Sequence, residues 1–145
     1  MVAYFISAKK ERRPRHAGYN IMTIECGVDL VEIERIERAV ARLGERFLNR
    51  VFTPEERAYC RGRGPQLAAR FAAKEAVGKV LGTGLWNEGV AWQHIGVING
   101  PGGKPHLVLS GEAARRADLA GLRHWSISLS HSRGDAIAFV IATTL

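Results

Sequence analysis

Glu75 and Lys79 stand one helical turn apart in an alanine-rich run, Ala68-Ala69-Arg70-Phe71-Ala72-Ala73-Lys74-Glu75-Ala76, with Gly78 next to Lys79. A carboxylate and an ammonium flanking a bare patch can hold a divalent cation and a phosphate, because alanine and glycine let backbone or ligand approach closely. The same two residues also suit an ordinary i,i+4 surface ion pair worth about 0.3–0.5 kcal/mol. Asp29 is the second carboxylate of interest. It falls where an alternating segment ends and a helical one begins, so it suits an N-cap. Together with Glu75 it also suits magnesium, which takes few protein carboxylates and keeps positions for water and phosphate oxygens. His131 lies in a predicted hairpin turn, where histidine is ordinarily a polar loop residue. Gly82-Thr83-Gly84 is too short and too late in its helix to be a phosphate loop. No Walker loop, dinucleotide glycine fingerprint or Ser/His/Asp order occurs.

The elements that must position these groups follow from periodicity. Ile24, Cys26 and Val28 alternate with Thr23, Glu25 and Gly27, which predicts a half-buried strand ending at Asp29. Val31 to about Val51 reads as one helix, with Ile33, Ile36, Val40, Leu43 and Phe47 in a stripe. Arg35, Arg38, Arg42, Arg46 and Arg50 form a second stripe on roughly the opposite side, without matched i,i+4 acids. That face is either solvated or a docking surface for an acidic protein or nucleic acid. Thr53-Pro54-Glu55-Glu56 opens a further helix, with Thr as cap, Pro at the first position and acids at the positive end. The alanine-rich helix follows, to about Leu81. Then come a strand around His94–Ile98, a glycine-rich turn, a strand Pro105–Leu109, a helix from Ser110 to near Gly121, and a hairpin of Trp125–Ser130 with Ala136–Thr143. Hairpins instead of βαβ units predict an α+β fold with a mainly antiparallel sheet packed against helices.

Composition sets the outer limits. The chain has 145 residues, 46% hydrophobic and 24% charged, which suits one soluble domain. No apolar run approaches the ~20 residues of a membrane span. Two cysteines, Cys26 and Cys60, are too few for a disulfide scaffold and point to a reducing, cytoplasmic setting. The net charge of +7 is uneven. Residues 1–21 hold five basic residues and one acid, whereas the body from Met22 onward holds 16 and 13. Residues 1–21 thus read as a basic extension, either a flexible or non-native start or an arm steering an anionic partner. A nucleic-acid module is disfavoured, because the body is only +3 and few aromatics interleave with its basic residues.

The motifs, taken in order, resemble a family. Gly27-Val28-Asp29-Leu30-Val31-Glu32-Ile33-Glu34-Arg35-Ile36 resembles the opening of holo-[acyl-carrier-protein] synthases, the short type of 4′-phosphopantetheinyl transferase. Val51-Phe52-Thr53-Pro54-Glu55-Glu56 resembles their second block. Arg70 to Ala76 with Lys79 and Gly82-Thr83-Gly84 resembles their signature helix. Gly103-Lys104-Pro105 and Ile127-Ser128-Leu129-Ser130-His131-Ser132 complete the order. The resemblance runs from Met22 to the C-terminus. Two departures stand out: residues 1–21 have no counterpart, and position 78 is Gly where the family can carry a small polar residue.

The resemblance implies a 4′-phosphopantetheinyl transferase-like fold assembled as a homotrimer with active sites between subunits. It implies Mg²⁺-dependent transfer of 4′-phosphopantetheine from coenzyme A to a serine of apo acyl carrier protein. The second product is adenosine 3′,5′-bisphosphate, and the process served is fatty acid biosynthesis. A polyketide or peptide-synthase carrier domain is the nearest alternative acceptor. Carried onto this sequence, the family's pattern makes Asp29 and Glu75 the metal ligands, and Glu75, directly or through a metal-bound water, the base. Lys79 becomes the phosphate partner. Arg70, Gly82 and His131 join it as coenzyme contacts, and Arg35, Arg46 and Arg50 as the carrier-docking residues.

Overall fold

A computed structural model describes residues 21–85 and 89–145; the expected extension, Ile21 apart, lies outside them. Among the described residues, five strands and five α-helices form an α+β fold in which every strand pairing is antiparallel. β1 (Ile24–Glu32), β5 (Asp135–Thr143) and β4 (His124–His131) make a three-stranded sheet in the order β1-β5-β4. β2 (Ile95–Asn99) and β3 (Pro105–Leu109) make a separate hairpin. The helices are α1 (Ile33–Leu43), α2 (Glu45–Val51), α3 (Pro54–Cys60), α4 (Gly64–Leu81) and α5 (Gly111–Leu119). Among the described residues no helix is long and apolar enough to cross a membrane.

The alanine-rich α4 is the centre of the fold, and small side chains explain why. Ala68, Ala69, Ala72, Ala73 and Ala76 are buried, as are Ala136, Ala138 and Ala142 on β5. Alanine against alanine lets helix and sheet approach closely. On β1 the approach is closest at Gly27, where a Cβ would fall 2.1 Å from the Ala76 carbonyl oxygen. Backbone cannot yield there as a flexible side chain would. Gly27→Ala is therefore expected to push β1 off α4 and cost about 1–3 kcal/mol, as overpacking does. Gly96→Ala, whose new methyl would find nothing nearer than 3.6 Å, is the control expected to stay within ~1 kcal/mol. Chemical denaturation of both variants checks the difference.

Two expected boundaries shift, both with consequences for the site. β1 runs on to Glu32, so Asp29 lies inside the strand, opposite Ala138, and is not an N-cap. The residue before α1 is Glu32, which makes no side-chain cap. The long arginine-bearing helix is two helices, broken at Gly44, whose φ of +54° belongs to the left-handed region. Nor are its arginines all without acids: Arg38 pairs with Glu34 at 3.1 Å. β2 begins at Ile95, with His94 in the short 3₁₀ turn before it. The Thr53 cap forms as expected: Thr53 accepts from the Glu56 amide, and Glu56 accepts from the Thr53 amide.

Candidate functional site

Period two along β1 puts Asp29 on the same side as buried Gly27 and Val31, facing α4. The crossing at Gly27 and Ala76 then brings Asp29 up to the helix stretch that carries Glu75 and Lys79. Lys79 reaches over to the strand, donating to the Val28 carbonyl at 2.6 Å and to Asp29 Oδ1 at 2.9 Å. Its recorded ion pair is with Asp29 on another element, beyond the local i,i+4 pairing that spacing alone suggested. Glu75 is half-buried between these groups. Burial first, and then the Asp29 charge, raise its pKa; Lys79 and Arg35 pull it back down. Two carboxylates and two cations thus converge from β1, α1 and α4.

That arrangement suits a divalent cation on its chemistry. Asp29 and Glu75 are hard oxygen donors close enough for each to feel the other's charge, and an ammonium already stands against Asp29. Two carboxylates leave most of an octahedral shell to water and phosphate, as magnesium prefers. Among the described residues no group of three or more His, Cys, Asp or Glu could hold a metal, so an all-protein cage is not what this site offers.

Beside this cluster the arginines line two apolar grooves. Arg35, Arg38 and Arg42 border a groove of about 590 Å³ floored by Ile36, Phe47 and Phe71. Arg46 and Arg50 border a second, of about 600 Å³, shared with Phe47, Phe71 and Trp92. Phe71 stacks on Trp92 at 4.6 Å and sits one turn before Glu75. The arginines expected to dock a partner therefore rim an apolar floor next to the carboxylates.

Arg70 and His131 meet elsewhere, in a pocket of about 290 Å³ between α4, β4 and the β2–β3 turn. His131 is the last residue of β4, opposite Ala136, and not part of the turn itself. Arg70 is buried, its guanidinium 4.3 Å from the Tyr59 ring centroid. It donates to the Gln66 carbonyl at 3.3 Å and to Asn99 Oδ1, while its Nε and Gln66 Oε1 have no hydrogen-bond partner among the described residues. A buried guanidinium bonded only to neutral oxygens suits an anion. Gly82 closes α4 with φ +70° and lies three residues beyond Lys79, lining neither pocket.

Residues 25–140 match the family model of the 4′-phosphopantetheinyl transferase superfamily. A holo-[acyl-carrier-protein] synthase of Herpetosiphon aurantiacus is 54% identical over 120 residues, 79% of this chain and 94% of that protein. The chain belongs to the holo-[acyl-carrier-protein] synthases. Solved members of the family share its fold. The Helicobacter pylori synthase in complex with coenzyme A superposes with a TM-score of 0.74 at 33% identity, covering 81% of this chain and 98% of that one. The Bacillus anthracis synthase in complex with coenzyme A (3′,5′-ADP) gives 0.69 at 32% identity, covering 86% and 100%.

One feature of this synthase that residue spacing did not reveal is a buried ion pair behind the site. Lys74 Nζ lies 2.8 Å from Glu56 Oε2, both side chains fully buried. Lys74 spends its other two donors on the Trp92 and Ile95 carbonyls. Glu56 also accepts the Thr53 amide and, through Oε1, the Val97 amide at 2.9 Å. A lysine in the middle of an alanine run was the available signal, since a lysine set among buried alanines needs a paired charge. Glu56 read as a capping residue, which it is, and its second use stayed hidden.

Proposed function

We propose that this synthase transfers 4′-phosphopantetheine from coenzyme A to a serine of apo acyl carrier protein in the presence of Mg²⁺, releasing adenosine 3′,5′-bisphosphate. Residues 22–145 form the transferase domain and 1–21 a basic extension; the setting is cytoplasmic and the process fatty acid biosynthesis. The observation that carries the reading is the convergence of Asp29, Glu75 and Lys79 from two elements, in a chain 54% identical to a named synthase.

The chemistry is a displacement at phosphorus. The serine oxygen attacks the pantetheine-bearing phosphorus, its bond to the bridging pyrophosphate oxygen breaks, and that oxygen leaves on the adenosine bisphosphate. Positioning and charge neutralisation do most of the work in such reactions. Asp29 and Glu75 would hold magnesium, which supplies charge neutralisation at the pyrophosphate when bound. Glu75 accepts the serine proton, directly or through an ordered water. Lys79 pairs with a phosphate as a point charge. Arg70, with His131 at the other side of its pocket, binds a second phosphate of the coenzyme.

Arg70 and Glu75 are five residues apart, about 140° around the helix and ~7.5 Å along it. One coenzyme therefore spans both sites most simply by lying between two subunits. Homotrimerisation is supported further by the outer face of the sheet. There Val28 pairs with Phe139 and Leu30 with Ile137, all four exposed. A contiguous apolar face of this kind marks an interface. Light scattering is expected to give a trimer mass, and Phe139→Glu to lower it together with activity; a fully active monomer would remove this part of the reading.

Arg35, Arg46 and Arg50 face the acidic carrier. Arg35→Glu is expected to raise the carrier KM about ten-fold, with the larger loss at low salt, and to weaken coenzyme A binding much less. Steady-state kinetics against both substrates checks this, and an equal or larger loss of coenzyme A affinity would reassign the residue. The function itself is tested by intact-mass spectrometry of apo acyl carrier protein incubated with this chain, coenzyme A and Mg²⁺. A gain of one phosphopantetheine arm, abolished by EDTA, supports reaction and metal together. A gain only on a polyketide or peptide-synthase carrier domain changes the acceptor, and no gain on any carrier refutes the function.

A further inference from the structure

Lys79 lies against one of the two carboxylates assigned above to the metal, with both of its hydrogen bonds made to β1. We propose that Lys79 is a built-in placeholder for the divalent cation. It neutralises Asp29 while metal is absent, leaves Asp29 when metal binds, and is thereby freed to pair with the incoming phosphate. The inference rests on the reading of Asp29 and Glu75 as metal ligands.

Charge balance supports it. The groups facing one another are Asp29 and Glu75 on one side, and Lys79 and Arg35 on the other. Without ligands they sum to zero, so a free divalent cation gains little from the site as a whole. With the cation bound the sum is +2, matched by the two negative charges of a pyrophosphate diester. Metal and coenzyme should therefore reinforce each other's binding, a coupling that is necessarily reciprocal. Exposure supports it too. The Lys79 side chain is 42% exposed and Asp29 19%, so the ammonium can swing away without crossing the core, and a partly exposed pair is weak enough to exchange. The backbone carbonyl of Val28 matters as well. It holds the ammonium on the strand side of the site and not out in solvent, so the default position of Lys79 is the one the cation needs.

The test is Mn²⁺ titration of the full chain by electron paramagnetic resonance, with and without coenzyme A, for the wild type, Lys79→Met, Arg35→Met and Asp29→Asn. Without coenzyme A, Lys79→Met is expected to bind Mn²⁺ about three- to ten-fold tighter than wild type, because both the competing ion pair and a nearby positive charge are gone. Arg35→Met, which removes a charge but no bond to Asp29, is expected to change affinity less than about two-fold. Asp29→Asn is expected to weaken binding. Coenzyme A should tighten Mn²⁺ binding more in wild type than in Lys79→Met. Unchanged or weaker metal binding in Lys79→Met overturns the placeholder while leaving the metal site standing. An equal gain in Arg35→Met also overturns it, since general charge would then explain the effect. If wild type binds no Mn²⁺ under either condition, the metal-ligand reading fails and the inference falls with it.

Discussion

Glu75→Gln is expected to give a folded protein that has lost at least about 10³-fold in phosphopantetheine transfer. The substitution keeps the side chain's shape but removes a charged metal ligand and the base together. Its effect on stability has the opposite sign. Burial, and after it the charge of Asp29, raise the Glu75 pKa in the folded protein, so the native state holds that proton more tightly than the unfolded chain does. Stability contributed by the protonated form is present below the ordinary glutamate value and is lost as pH rises through the raised one. At neutral pH the ionised Glu75 therefore costs stability, and glutamine does not incur that cost. In EDTA the variant should melt above the wild type at pH 7, with the gap closing as pH falls through the raised value. Melting curves across pH, paired with the intact-mass assay, check both halves. Near-normal turnover would rule out the assigned role of Glu75, and a lower melting temperature at pH 7 would contradict the electrostatics.

Removing Lys74 is expected to have the largest effect on folding. Lys74→Ala strands a fully buried Glu56 carboxylate that keeps two amide donors but loses the ammonium at 2.8 Å. Breaking a buried pair from one side costs about 3–5 kcal/mol. The double variant Lys74→Met with Glu56→Gln should recover much of that loss, because glutamine still offers an oxygen to the Thr53 or Val97 amide and no buried charge remains. Urea denaturation of the wild type, Lys74→Met, Glu56→Gln and the double variant forms a mutant cycle. A coupling below about 0.5 kcal/mol would mean that the pair adds nothing beyond its separate contacts.

What could be read from the chain in advance divides along a physical line. The capping box at Thr53, the extent of α4, the closing hairpin and the antiparallel character are local, written in neighbouring residues and in periods of two and 3.6. The break at Gly44 was masked because the apolar and arginine stripes continue across it into α2. Asp29 read as a helix cap because a strand end and a helix start look alike when the strand carries an acid. Its true place depends on pairing with Ala138, more than a hundred residues away. Of the residues the family resemblance assigned to metal and coenzyme, Asp29 lies with Glu75 and Lys79, and Arg70 lines one pocket with His131, whereas Gly82 joins neither group. The groups behind them, Glu56, Asn99, Gln66 and Trp92, were not legible, since each acts through a contact across elements that no spacing encodes.

The three committed donors of Lys74 also govern motion. Successive side chains on a helix are set ~100° apart, so fixing the bearing of residue 74 fixes that of Glu75 beside it. A helix faced mainly with methyl groups has little to resist rolling or sliding along a smooth sheet. Lys74 acts as a key in a keyway: to turn or translate, α4 would have to break hydrogen bonds to Trp92 and Ile95 and an ion pair to α3 at once. The aim of the Glu75 carboxylate is thus locked from the far side of its own helix, and amide hydrogen exchange along the middle of α4 should be among the slowest in the molecule.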